Sequence, residues 1–70
     1  SMQVKITNVV TEGERVRVFA TFDEVEKTFV FFQNATKEQI LATIGDEKNR
    51  LEEAEKAVNE LKTSLIDTEI

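Results

Sequence analysis

The chain has 70 residues and a formal net charge of −5, and it contains neither cysteine nor histidine. These absences exclude disulfides, thiolate zinc sites and imidazole metal sites. We take Ser1 as a cloning remnant before an initiator Met2 and expect one domain over residues 1–70. A domain this short buries only roughly 60% of the surface that its unfolded chain exposes, so association with another chain is the remaining way to stabilise it.

Charge and hydropathy exclude several partners. The acidic excess lies mainly in the second half of the chain and repels phosphate backbones, so we expect no nucleic-acid binding. No apolar run approaches the roughly 20 residues of a membrane span, and no signal-peptide core is present. We therefore expect a soluble, cytoplasmic protein, or one that belongs to an assembly built in the cytoplasm.

The first half of the chain alternates apolar and polar residues, which is typical of half-buried strands. The segment from Met2 to Val10 predicts one strand, and a turn centred on Gly13 leads to a second at residues 15–22. A charged connection at residues 23–26 precedes a third strand over residues 27–32. Three strands joined by short loops predict an antiparallel meander within residues 1–35.

The period then changes to that of a helix. Thr36 and Gln39 have the spacing of a capping box, and apolar residues follow at helical intervals. Gly45 could end one helix and begin another, but Ile44 and Leu51 stay in phase across it. We predict one long amphipathic helix within residues 36–66, with a frayed tail at residues 67–70 and an overall α+β fold.

The predicted helix is too long for the predicted sheet, because a 30-residue helix spans roughly 45 Å and a seven-residue strand only about 23 Å. We expect Ile40, Leu41 and Ile44 to pack on the sheet. The second half of the helix, which holds Val58, Leu61 and Leu65, would then leave an apolar stripe in water. Ile44, Leu51, Val58 and Leu65 recur every seven residues, but the companion positions are too irregular to predict a parallel coiled coil. A short antiparallel pairing or a small bundle fits as well.

The third strand presents large apolar side chains on both of its faces, whereas one helix covers only one face of a sheet. Two exposed apolar surfaces indicate homo-oligomerisation, with a dimer favoured, and a different protein partner is possible. The predicted oligomer interface consists of Phe19, Phe31, Leu51, Val58, Leu61 and Leu65.

No residue pattern in the sequence indicates a catalytic site or a cofactor-binding site. Ser64 has no histidine to activate it, the lysines (Lys27 among them) look solvated, and the carboxylates of residues 52–55 diverge around a helix. Gly13 and Gly45 cannot form a phosphate-binding loop, and no calcium-loop spacing is present. We expect no enzyme activity, no cofactor and no metal.

The strand at residues 28–31, the segment at residues 35–40 and the Glu/Lys-rich helix ending at residues 61–66 together resemble very short proteins of bacteriophage and prophage structural-gene modules. The resemblance implies a virion or tail-assembly role and supplies no functional residues. The first hypothesis is a structural or assembly protein that associates through its helix and second sheet face. The alternative is a small acidic binding module or inhibitor of a host protein.

Overall fold

A computed structural model describes all 70 residues. It contains a three-stranded antiparallel sheet in the order β1-β2-β3, followed by one long C-terminal helix. The predicted α+β architecture is confirmed. The elements are β1 (Val4–Glu12), β2 (Arg15–Phe22), β3 (Val25–Phe32) and α1 (Lys37–Leu65).

Two tight turns join the three strands. Each turn places a positive φ at its first residue, +61° at Gly13 and +53° at Asp23. Glycine adopts this conformation freely, and aspartate is among the few other residues that tolerate it. The second turn is shorter than predicted, because β3 begins at Val25 and not at residue 27. Asp23 also connects this turn to the residue before β1, since its carboxylate accepts a hydrogen bond of 2.9 Å from the backbone N–H of Gln3.

A β-bulge at Thr7 interrupts the pairing of β1 with β2. Ile6 lies opposite Ala20, whereas Asn8 lies opposite Phe19, so one residue of β1 is extra. A bulge of one residue moves every later side chain of the strand to the other face. Val9 therefore faces the same side as Ile6, which simple alternation does not predict.

The core lies between the helix and one face of the sheet. Val18, Ala20 and Phe22 of the central strand are buried, and Ile44 of the helix is the fourth buried residue. Alternate positions of β2 point to the same face, which is why three residues spaced by two share this core. Partly buried apolar residues surround it: Met2, Val4, Val16, Phe29, Phe31, Ile40 and Leu51.

The helix is a single uninterrupted element whose start is fixed by the predicted capping box. Thr36 Oγ1 accepts a hydrogen bond of 3.1 Å from the Gln39 N–H, and the Thr36 N–H donates to Gln39 Oε1 at 2.9 Å. Gly45 lies inside the helix and does not break it. The helix ends at Leu65, one residue before the predicted end, where the N–H of Ile66 donates to the carbonyl of Lys62.

Candidate functional site

The helix extends well beyond the sheet on which it packs. Its 29 residues span about 44 Å, whereas the eight residues of β3 span roughly 26 Å. Glu52 is the last partly buried helical residue, and its carboxylate accepts a hydrogen bond of 3.2 Å from the backbone N–H of Met2. Every residue from 53 onward is exposed. We call residues 53–65 the overhang.

The overhang carries an apolar stripe with no partner in the chain. Ala54, Val58, Leu61 and Leu65 follow one another at intervals of four, three and four residues. The last three are 49%, 56% and 59% exposed. The stripe continues the seven-residue repeat of Ile44 and Leu51, which pack in the core. An apolar helix face that ordinarily packs on another element is therefore open to solvent over the last three turns.

The predicted interface residues fall into three groups. Val58, Leu61 and Leu65 lie together on the overhang, whereas Leu51 packs against the chain's own core. Phe31 also packs against this core, because it lies opposite Val16 on the helix-facing side of the sheet.

Phe19 lies on the opposite side of the sheet, across from Thr28, and is thus separate from the overhang. The strand registers place it on the face that the helix does not cover, which we call the open face. The side chains that surround Phe19 could not be assigned to this face before the register was known, because a shift of one residue exchanges the two faces.

The open face combines apolar and charged side chains. Val10, Val30 and Phe32 are exposed there, at 37%, 43% and 63%. Between them, Arg17 binds Glu12 with its Nε 3.0 Å from the Oε2 atom, and this contact raises the pKa of the guanidinium above its ordinary value. The guanidinium carbon of Arg15 lies 4.9 Å from the centre of the Phe32 ring. The open face is therefore less apolar than the sequence suggested.

An ion pair joins the helix to the sheet. Lys27 Nζ lies 2.7 Å from Glu47 Oε2, and Arg50 donates a second hydrogen bond of 2.7 Å to Glu47 Oε1. Hydrogen bonds from Arg50 and then from Lys27 lower the pKa of Glu47 from an ordinary 4.5 to about 2. The expectation that Lys27 is solvated is wrong, since only 31% of its side chain is exposed.

Sequence reasoning missed a shallow groove beside the helix. It has a volume of about 450 Å³ and runs between β1 and the first half of the helix, where Val4, Ile6 and Leu41 contribute apolar walls. Leu41 was expected to pack on the sheet but is 46% exposed. The exposure of Leu41 could have been predicted from the sequence, because adjacent helical residues such as Ile40 and Leu41 cannot both point at the centre of the sheet.

The cleft with the largest volume, about 630 Å³, lies where the overhang leaves the sheet. Asp23, Glu52, Glu55, Lys56 and Asn59 are among its mainly polar walls. The structure contains no cluster of three or more acidic side chains arranged to hold a metal ion. Its helix lacks the apolar stretch that crossing a bilayer requires.

No protein family, no curated protein and no solved structure matches this chain. Among the exposed surfaces, the overhang carries three large apolar side chains that have no partner in the chain: Val58, Leu61 and Leu65.

Proposed function

We propose that this chain is a non-enzymatic structural or assembly protein that forms a homo-oligomer, most simply a dimer, through its helix and the open face of its sheet. The observation that carries the proposal is the overhang, whose apolar stripe has no partner in the chain. A single copy leaves this stripe in water, whereas a second copy supplies an identical stripe to cover it.

The overhang receives no tertiary packing within a single copy. Residues 53–65 make no buried contact with the sheet, and they continue a helix whose first half is held on it. Most helical stability in proteins comes from tertiary packing of an apolar face. Packing against another chain would supply this contribution where the chain's own sheet does not reach.

The free energy available for association is modest. Fully burying a valine or leucine contributes about 1.5–3 kcal/mol, so covering the exposed halves of Val58, Leu61 and Leu65 contributes roughly 1 kcal/mol for each side chain. A symmetric dimer contains two sets and gains about 6 kcal/mol, which exceeds the lower end of the roughly 4–15 kcal/mol cost of association by only about 2 kcal/mol. A dimer that forms at high micromolar concentration needs about 5 kcal/mol of net free energy, so contacts of the open face have to contribute as well.

The open face supplies a second contact in this proposal. Phe19 is partly buried there, and Phe32 is the most exposed phenylalanine of the sheet. Because antiparallel sheets commonly keep one solvated face, this surface supports association less strongly than the overhang does. A virion or assembly intermediate as the setting for such an oligomer rests on the resemblance to phage structural-module proteins.

Sedimentation velocity over a concentration series tests the proposal. We expect the mass to rise from the 8.0 kDa of one chain toward twice that value at high micromolar concentration. Leu61→Glu should keep the species monomeric, because a carboxylate in the paired stripe is costly to desolvate. Glu53→Ala, a change on the charged side of the same helix, serves as the control and should leave association unchanged.

A single 8.0 kDa species at every concentration would contradict the proposal. It is also the result expected for the alternative, a small acidic module that binds a different protein. Far-UV circular dichroism of Leu61→Glu at low concentration shows whether the variant remains folded, as we expect for a residue that is 56% exposed in one chain.

A further inference from the structure

We infer that the overhang pairs antiparallel with the overhang of a second copy, in a single register that places Val58 opposite Leu61 of the second copy. This inference rests on the proposed self-association and specifies its direction and alignment. It follows from three features of the helix: which part of it packs on the sheet, how its apolar residues are spaced, and in which order the charged residues beside the apolar stripe follow one another.

The position of the sheet decides the direction. Ile40, Ile44 and Leu51 hold the first half of the helix on the chain's own sheet. Parallel pairing through the overhang would bring the sheets of both copies to the same end, where they would compete for space beside the paired helices. Antiparallel pairing leaves the two sheets at opposite ends, and the free ends of the two helices meet the clefts where each overhang begins.

The apolar spacing allows four packed layers. Val58 and Leu65 are equivalent to heptad position a, and Ala54 and Leu61 to position d. In an antiparallel pair, an a residue of one helix lies beside a d residue of the other. Val58 then packs on Leu61 of the second copy and Ala54 on Leu65, and the twofold axis repeats both contacts. Each large side chain meets a smaller one, which suits close packing.

The charges that flank the stripe select one register. Glu55 and Lys62 occupy the e positions on one side of the stripe. In the register just described, Glu55 of each copy lies beside Lys62 of the other, so two opposite-charge contacts form. Neither residue takes part in an ion pair within the chain, where the ion pairs are Arg17–Glu12, Lys27–Glu47 and Arg50–Glu47.

Shifting the pairing by seven residues in either direction reverses this complementarity. One shift places Glu55 beside Glu55 of the second copy and moves the second helix onto the sheet at Leu51. The other shift places Lys62 beside Lys62 of the second copy and leaves Ala54 without a partner. Repulsion between like charges disfavours both shifted alignments. The register that places Val58 opposite Leu61, which we call the central register, is therefore favoured by its own attractive contacts and by repulsion in the two alternatives.

The side of the stripe away from the charges contains small residues. Ala57 and Ser64 occupy the g positions there, and the central register places them beside each other across the pair. Small side chains on this side let the two helices approach closely. They also carry no charge, so in a parallel pair Lys62 would meet only the uncharged Ala57, and Arg50 would be the one charged g residue that faces Glu55.

Exchange of the two charges tests the register. We expect Glu55→Lys and Lys62→Glu each to weaken self-association by about tenfold at low salt, because each turns two attractive contacts into repulsive ones. An equimolar mixture of the two variants should associate with the affinity of the unmodified chain, since the lysine introduced at position 55 of one variant then meets the glutamate introduced at position 62 of the other. Glu53→Lys makes the same charge change away from the stripe and should have little effect.

The outcomes separate this inference from the proposed function. If the mixture associates no better than the variants alone, while Leu61→Glu still dissociates the unmodified dimer, self-association stands and the register is wrong. In a parallel pair Glu55 would face Arg50, so Glu55→Lys alone would weaken association and Lys62→Glu would not rescue it. If the unmodified chain never associates, both the inference and the proposed function fail.

Discussion

Lys27 Nζ lies 2.7 Å from Glu47 Oε2, and this ion pair is the only one that joins the sheet to the helix. The other two ion pairs connect β1 with β2 and two residues of the helix with each other. Glu47 lies between Ile44 and Leu51 in the helix, so the ion pair adds a polar contact to the apolar packing that holds the helix on the sheet.

The ion pair predicts a defined pH dependence of folding. The pKa of Glu47 falls from 4.5 to about 2 on folding, because Arg50 and Lys27 stabilise its charged form. A lowered pKa stabilises the fold fully above pH 4.5, and this stabilisation is lost as the pH falls from 4.5 toward 2. Urea unfolding at a series of pH values, at protein concentrations that keep the chain monomeric, measures the effect.

Glu47→Gln provides the matched control for this titration, because glutamine keeps the shape but has no charge to lose. The difference in unfolding free energy between the two proteins should be largest near neutral pH and shrink as the pH approaches 2. An equal difference at all pH values would show that Glu47 does not titrate with a lowered pKa.

Gly45→Ala should stabilise the protein. Gly45 lies in the helix interior, and a methyl group at its Cβ position would meet no atom within 4 Å. Alanine is favoured over glycine in a helix by about 0.8–1.0 kcal/mol, and it also restricts the unfolded chain. Thermal unfolding should show a higher midpoint for the variant, and a lower midpoint would mean that the helix bends or opens at this residue.

Thr36→Ala should destabilise the helix start. The side chain of Thr36 accepts from the N–H of Gln39, and the loss of such a cap costs about 1 kcal/mol. Thr36→Ser keeps the hydroxyl and should retain most of the stability. If the alanine variant unfolds at the same urea concentration as the unmodified chain, the reciprocal bonds of the capping box do not stabilise the fold.

Much of the fold followed from local patterns. Alternation along β2 and the capping box at Thr36 depend on neighbouring residues only, and the sequence displays both. The bulge at Thr7 could not be predicted from the sequence. Val9 and Val10 are both apolar, so the alternation after Asn8 can continue with either of them facing the core. The shorter second turn was missed because Val25 stands between acidic residues and resembles part of a charged loop.

The candidate site depended more on long-range packing. The repeat ending at Leu65 indicated an exposed stripe, because helix length can be compared with strand length before any contact is known. The assignment of Phe31 required the register of β3 against β2, which turns this residue toward the core. The pairing of Lys27 with Glu47 required the path of the helix across the sheet, and no local spacing encodes it.

Ile44 and Leu65 lie three heptads apart on one helix, and truncating each to alanine should have different consequences. Ile44 is only 4% exposed, so Ile44→Ala should lower the unfolding free energy of a single chain by about 2–5 kcal/mol. Leu65 is 59% exposed, so Leu65→Ala should change it by less than about 0.5 kcal/mol at concentrations where the chain is monomeric.

Raising the protein concentration should then reveal an effect of Leu65→Ala. If a second copy covers the stripe, the unmodified chain gains stability with concentration by mass action, whereas Leu65→Ala gains less because its contact with Ala54 of the second copy is reduced. Urea midpoints measured across the concentration series report this divergence directly. If the difference between the two urea midpoints stays the same at every concentration, Leu65 remains in water. The overhang would then have no role in pairing.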